Sequence, residues 1–454
     1  MRQWGPIRCW TGHAGGRDRK GVILFLASRP VVRRVPPPRR RVRRPARRPA
    51  RRGGFLAPYR RLFAAPGAAA FTLAAFVGRL PGAMLGVANV LMIAIARDSY
   101  ALAGAVSATG VAVTAVTGPL LGRLVDRHGQ ARVAVPAVAV FALGSTAMVL
   151  CVHHDAPAWA LFLCAAGSSG VPSLGSMTRA RWAALHHDNA AARHTAASFE
   201  QVVDEVCFMV GPALAMVLCT TVFPEAGLLT AAALLVTGTL LFAAQRRTEP
   251  PPHPRPAAGE RAVPLTRTPG LWALLLTFLA TGAVFGSMEV ATVATVRSLG
   301  GAEASSAVLA LQAAGSCVAG LAFGALPLRG ALPTRFMAGV AAMAVAVLPL
   351  LAADSLATLA PLLFLAGMAT APTMITGMSL VHRLVPAARL NEGMTTVYTG
   401  LLIGISAGAA AGGWTADHLG PTSAYTTPAS AAALALAAAL SGRRAAHHRA
   451  QAVT

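Results

Sequence analysis

A short charged turn, Gly122-Arg123-Leu124-Val125-Asp126-Arg127-His128-Gly129-Gln130-Ala131-Arg132, is pinned between two long apolar runs. ALAGAVSATGVAVTAVTGPLL precedes it and VAVPAVAVFALGSTAMVLCV follows it. Each run has about the length that a helix needs to cross the hydrocarbon core of a bilayer, roughly 20 residues. A connection this short makes the two helices antiparallel neighbours. Three arginines (Arg123, Arg127, Arg132) against one acid, Asp126, mark a cytoplasmic loop. Gly129 allows the chain to reverse, and Gly122 allows a close approach to another helix.

Apolar runs of this kind recur to the end of the chain. Only 12% of the 454 residues are charged and 55% are hydrophobic. A soluble domain carries about a quarter charged residues. The composition therefore predicts an all-α polytopic membrane protein rather than a barrel, whose strands would alternate weakly. Twelve spans are predicted, near 69–94, 101–122, 133–151, 158–177, 197–220, 226–244, 270–293, 304–325, 336–353, 356–381, 393–415 and 424–441. The polar, proline-rich segment 245–269 divides them six and six. The predicted organisation is a basic, disordered tail over 1–64, a six-helix bundle over 65–244, the linker 245–269, a second bundle over 270–442 and a tail over 443–454.

The charge census tests that layout. With a cytoplasmic N-terminus, the even loops and the C-terminal tail carry nearly all the loop arginines, and the odd loops hold only Arg97 and Arg297. A span missed in mid-chain would move bases to the wrong side. Of the net charge of +24, +18 lies within Met1–Arg61 and +6 in the rest. The tail's VVRRVPPPRRRVRRPARRPARRGG has no interleaved aromatics, so stacking on nucleic-acid bases is not expected. Residues 1–61 read either as a genuine cytoplasmic tail or as translation from a start placed too early. GVILFLAS, Gly21–Ser28, is too short to span, and no signal peptide is expected.

The opening turn, G-x-x-x-D-R-x-G-x-x-R, resembles the loop between helices 2 and 3 of the major facilitator superfamily of transporters. It keeps Gly122, Asp126, Arg127, Gly129 and Arg132, and departs at Gln130, where a base is usual. The counterpart in the second half, Gly324-Ala325-Leu326-Pro327-Leu328-Arg329-Gly330, keeps its end glycines and a base but has no acid. The resemblance implies two six-helix bundles related by a pseudo-twofold along the membrane normal, rocking about a midplane site. It also implies a conformational latch in which Asp126 ties helix ends together. Candidate partners are Arg179, at the end of span 4, and the N-terminus of span 11 at Asn391-Glu392-Gly393, whose partial positive charge favours a carboxylate.

Ionisable residues inside spans are the candidate coupling groups. In span 5, SFEQVVDEVCFMVGPALAMVL, Glu200 and Asp204 lie four apart on one face, and Glu205 lies roughly 100° round the helix. An ionised acid at the bilayer centre costs on the order of 2.5–3.5 kcal/mol on insertion scales, so these must pair, face a cavity or take up protons. Glu200 is expected at the interface, paired with Arg181 or Arg193. Asp204 and Glu205 are candidates for proton or substrate coupling, with structural pairing the alternative. Arg79 in span 1 and Glu289 in span 7 are the lone charges of their spans. Arg79 is expected to pair with Glu289 or Asp204, or to snorkel to an interface. Gly211-Pro212 in VGPALA is similar to the glycine-proline signature in helix 5 of exporting antiporters of the superfamily, with the further glycines replaced by Ala213 and Ala215. It implies a bend and a close helix contact, and it tilts the reading toward efflux.

Gly400, Gly404, Gly408 and Gly412 in span 11 form a smooth packing face, Gly320 and Gly324 form a shorter one in span 8, and Pro361 and Pro372 predict kinks in span 10. The six cysteines form no Cys-x-x-Cys pair and read as small apolar residues. No phosphate loop, H-E-x-x-H or G-x-S-x-G is present, so no catalytic residue, metal or cofactor is expected. The expected protein is a monomeric, proton-coupled exporter of a small molecule in the plasma membrane, with both termini cytoplasmic, no nucleic-acid partner and no enzymatic activity. An importer or facilitator is the alternative within that class. A receptor or scaffold that keeps the fold without transport is the alternative outside it.

Overall fold

The computed structural model describes residues 54–253, 268–301, 304–326 and 330–452. These residues are helical, with no strand among them. A short helix, α1 (Ala57–Leu62), leads into α2 (Ala68–Arg97), α3 (Tyr100–His128), α4 (Gln130–His153), α5 (Ala158–Gly167), α6 (Leu174–Leu185), α7 (Ala190–Thr221) and α8 (Ala226–Ala244). After the linker come α9 (Pro269–Ser298), α10 (Ser305–Ala325), α11 (Leu332–Val347), α12 (Leu356–Leu384), α13 (Leu390–Leu419) and α14 (Thr426–Ala452).

Among the described residues, eleven helices are long and apolar enough to cross a membrane. The twelfth passage is α5 with α6, and here the structure corrects a prediction: the continuous span 158–177 is broken. The helix stops at Gly167 and resumes at Leu174, after Ser168-Ser169-Gly170-Val171-Pro172-Ser173. Pro172 has no N–H to offer and disfavours helix at Val171 before it. Ser173 then starts α6 by accepting from Ser176 N at 3.2 Å. Because the chain restarts, α6 carries Arg179, Arg181 and Trp182 as one helical set.

The tail assignment also needs correction. Residues 1–53 and the linker residues 254–267 lie outside the described residues, as does Arg329 of the second-half loop. Residues 57–62, however, form α1, with Tyr59 and Leu62 buried. Tyr59 donates to Leu321 O at 2.8 Å, and burial pushes its phenol up to about 12, so it stays a neutral donor. At the other end, α14 runs past residue 442, where a tail was expected.

The helices pack as two groups, α2–α8 and α9–α14, with matching neighbours. The pairs α2–α8, α2–α7, α3–α5 and α4–α8 recur as α9–α14, α9–α13, α10–α12 and α11–α14. Large apolar side chains such as Leu73, Leu143 and Leu434 point outward, as suits a lipid-facing exterior. Lipid is as apolar as these side chains, so close backbone packing must hold the helices together. The glycines supply it: Gly404 and Gly408 of α13 sit on the backbone of α9 at Leu279–Ala283, and Gly412 on Ser287. Gly282 and Gly286 of α9 return the contact at Leu401 and Ile405. Pro361 and Pro372 are accommodated within α12, which stays one helix.

The halves meet along two seams, α3–α13 and α7–α10. Most of the seam contacts with side-chain hydrogen bonds lie toward the end that carries the α3–α4 turn and Gln245–His253, here termed the linker end. The α3–α4 turn is a single residue, Gly129, at φ +94°, a conformation that L side chains rarely adopt. Glu249, just after α8, tucks beneath it and accepts from Ala131 N at 3.0 Å, capping α4.

Candidate functional site

Four ionised side chains meet inside the first half. Glu200 and Asp204, one turn apart on α7, face Arg79 of α2, and one guanidinium nitrogen of Arg79 reaches each carboxylate. Arg79 Nη2 also donates to Glu200 O at 3.3 Å. Arg179 of α6 holds the other Asp204 oxygen at 2.5 Å. Trp182, one turn further on α6, donates its indole N–H to Glu200 Oε1 at 2.9 Å. Glu200 is fully buried, and Arg179 and Asp204 nearly so. Two cations balance two anions, and each carboxylate has further hydrogen bonds, the conditions under which buried ions persist. Gly175 makes room: a Cβ there would stand 3.1 Å from Arg179 Nη1 and 3.4 Å from Arg79 Nε.

This geometry decides between the sequence alternatives. Arg79 pairs with Asp204 and does not snorkel. It does not meet Glu289, which is exposed on α9 and has no charged partner among the described residues. The expectation that Glu289 would face Arg79 is therefore corrected: α7 is an immediate neighbour of α2 and supplies two carboxylates first. Glu200 is likewise not interfacial and pairs with neither Arg181 nor Arg193. Arg181 instead donates to Gln130 Oε1 at 2.8 Å, Thr248 Oγ1 at 2.8 Å and Gln245 O at 3.0 Å, and lies 3.7 Å above the Phe242 ring. It ties α6 to α4, α8 and the start of the linker.

Glu205 points away from the quartet, into the seam between the halves. Its Oε1 accepts from Gln201 at 2.9 Å and from Ser316 of α10 at 2.8 Å. Thr370 of α12 donates to Ser316 at 2.8 Å, so the chain of hydrogen bonds reaches two helices of the second half. Among the described residues Glu205 has no basic partner. Tyr398 of α13 lies within electrostatic reach of Asp204 and both arginines, bringing a second-half side chain to the quartet.

Asp126 reaches the first turn of α13. Its Oδ1 accepts from Asn391 N at 3.1 Å and Asn391 Nδ2 at 2.8 Å, and its Oδ2 from Glu392 N at 2.9 Å. Three donors at a helix N-terminus suit a carboxylate. Gly122, one turn earlier, lies against this segment: a Cβ would meet the backbone of Asn391 and Glu392 at 2.9–3.0 Å. Arg179 is not part of this contact, contrary to expectation, because Asp204 engages it. Arg132 is exposed at the start of α4, while Arg127 is half-buried beside Asp126. Gly211 sits on α2, where a Cβ would meet Ala83 Cβ at 2.8 Å, so the close helix contact implied by Gly211-Pro212 is present.

Sequence reasoning anticipated the N-terminus of span 11 at Asn391-Glu392 as a partner of Asp126 and missed Trp182, Tyr398 and Ser316. Trp182 alone had a readable signal, since it follows Arg179 by three residues and so shares its face. The others join the site through helices brought together only by folding.

The model of the Major Facilitator Superfamily matches residues 71–338 and 296–453. The chain belongs to that superfamily. Solved structures agree on the fold of this superfamily member. A bacterial homologue of the iron transporter ferroportin, in an outward-facing state, superposes with a TM-score of 0.65 at 15% identity, covering 83% of this chain and 99% of that one. The human organic anion transporter MFSD10 gives 0.62 at 16% identity, covering 82% and 98%. FucP, a superfamily transporter in the outward conformation, gives 0.60 at 16% identity, covering 86% and 99%. No curated protein sequence matches the chain. This superfamily member is thus a multi-pass membrane protein with a transporter fold.

Proposed function

We propose that this transporter is a proton-coupled exporter of a small drug-like compound or metabolite, acting as a monomer in the plasma membrane. The arginine census supports cytoplasmic termini, which makes the linker end cytoplasmic. The two seams bridge that end, which supports reading this as the outward-facing state of an alternating-access cycle. Asp126, Gly122 and Gly129 act in the latch that holds this state, with Arg127 and Arg132 beside it.

The observation that carries proton coupling is Glu205, a carboxyl in the moving seam whose partners are all neutral. An ionised acid shut away from water without a counter-charge is costly. Its protonation is therefore tied to which side of the seam is wet. Asp204, paired with Arg79 and Arg179, lies next door and contributes to the field around Glu205. Glu289, exposed on α9, is a second candidate group on the opposite half. The Gly211-Pro212 motif supports the exporting direction.

The test has two steps. Cells expressing the protein are screened for extrusion or accumulation of compounds; extrusion is expected, and accumulation would support an importer. The compound found is then followed in reconstituted vesicles with an imposed pH gradient. Transport is expected to collapse with the gradient, and Glu205→Gln and Asp204→Asn are expected to uncouple it. Transport that persists unchanged without any gradient would remove the proton from the mechanism.

A further inference from the structure

A cavity of about 380 Å³ opens between the halves at the linker end, directly beneath the quartet. Arg179 and Glu200 form part of its inner wall, but Asp204 and Arg79 already neutralise them. The outer wall is different. Arg193 enters from α7 of the first half, and Arg335 of α11 and Arg383 of α12 enter from the second, with His194 and His382 between. None of these three arginines meets a carboxylate among the described residues. Arg193 donates only to a backbone oxygen, that of His187. Arg335 Nε is buried and has no hydrogen-bond partner among the described residues.

Basic residues are ordinary at the cytoplasmic face of a membrane protein, and most simply point into water. Here three converge on one concavity, and one of them buries a guanidinium N–H unsatisfied. A buried donor left unmade is costly, and a strong acceptor would relieve it. Walls that include Leu332 and Met378 keep the dielectric low and concentrate the positive field inward. A guanidinium fork matches tetrahedral and planar oxyanions, phosphate above all.

We infer that this cavity binds a phosphate-bearing anion, bridged by Arg193 on one half and by Arg335 and Arg383 on the other. The volume lies within the range of small-ligand sites, roughly 300–1,000 Å³. Because the three arginines belong to different halves, the anion binds only while the linker end is closed. By linkage it stabilises that state and slows the return to the open one. The site is independent of the proton-coupled reading, since it needs neither Glu205 nor a pH gradient. A lipid headgroup in the inner leaflet and a soluble phosphate compound share the required chemistry.

The full chain in zwitterionic phosphatidylcholine nanodiscs, titrated with inorganic pyrophosphate by calorimetry, tests the site. Saturable binding is expected, weakened about tenfold or more by Arg335→Gln and by Arg383→Gln, the loss of one charge-assisted bond. Arg123→Gln, exposed on α3 outside the cavity, is expected to leave binding unchanged. Spin labels at exposed Asp188 and Thr334, in a background with the native cysteines replaced, report closure across the halves. Pyrophosphate is expected to raise the closed population. A parallel set in phosphatidylglycerol nanodiscs without pyrophosphate separates the sources: closure already raised there, with weaker apparent pyrophosphate binding, identifies the lipid. Closure unchanged by the lipid identifies the soluble anion. No saturable binding and no closure difference in either disc would overturn the inference, as would equal binding by wild type and the Arg335→Gln/Arg383→Gln double variant. Should Arg335→Gln fail to fold, exposed Arg383→Gln gives the same decision.

Discussion

The two halves share a packing plan and differ in what they bury. Behind the α2–α7 contact of the first half lie Arg79, Arg179, Glu200 and Asp204. The equivalent α9–α13 contact of the second half is built from glycine faces and hydroxyls, with Ser287 and Thr281 bonded to their own helix backbones. The seams repeat the contrast. At α3–α13 an ionised Asp126 meets three donors of α13. At α7–α10 one bond involves a carboxyl, Glu205 accepting from Ser316, and the others are neutral: Thr195 donates to Gly324 O at 3.0 Å and His194 meets Phe323 O at 2.8 Å. One plan thus yields a first half that adds buried ion pairs to its close backbone contacts and a second half that relies on the contacts. Charge is switchable by protonation or ligands and backbone contact is not, so the proposed switching chemistry draws on the charges of the first half and its seams.

Removing a buried partner should give the largest effect. Asp204→Leu leaves Arg79 and Arg179 with a single carboxylate and should cost about 3–5 kcal/mol, read as a lowered melting temperature of the purified protein. Thr281→Val on the second half should change stability by no more than about 1 kcal/mol. Comparable losses from both would erase the contrast between the halves. Next, Asp126→Asn turns a carboxylate oxygen that faces backbone N–H groups into a donor. It should shift the closed state by about 1.5–3 kcal/mol toward opening, measured as a distance change between labels on α3 and α13.

The seam glycines sharpen the comparison further. Gly122→Ala meets backbone atoms of Asn391 and Glu392, which cannot turn aside, and should weaken closure by about 1–3 kcal/mol. Gly324→Ala meets Ser198 Cβ, which the α7 backbone fixes, as well as the Tyr59 hydroxyl, and should weaken closure to a similar degree in the same assay. Smallest of all, Thr195→Val should cost about 0.5–1.5 kcal/mol of closure. A Thr195→Val effect equal to that of Asp126→Asn would mean that the two seams do the same work.

Hydropathy and the arginine census alone made the chain a two-part helical membrane protein, because lipid tolerates neither unpaired backbone nor unpaired charge. The spacing of Glu200 and Asp204 placed both on one face before any coordinates, and Asp126 with Asn391-Glu392 was legible from the opening turn. What pairs with what was not legible. Helical periodicity fixes the angle between residues of one helix, but not that helix's rotation or depth against its neighbours. Tertiary packing therefore decided that Arg79 goes to α7 rather than to Glu289, that Arg179 leaves Asp126 for Asp204, and that Arg181 serves the linker. The break in span 4 at Pro172 is local backbone chemistry, and packing of the restarted helix then brought Trp182 beneath Glu200. The sequence set which groups must find partners inside the membrane; only the rotation and depth of the assembled helices chose those partners.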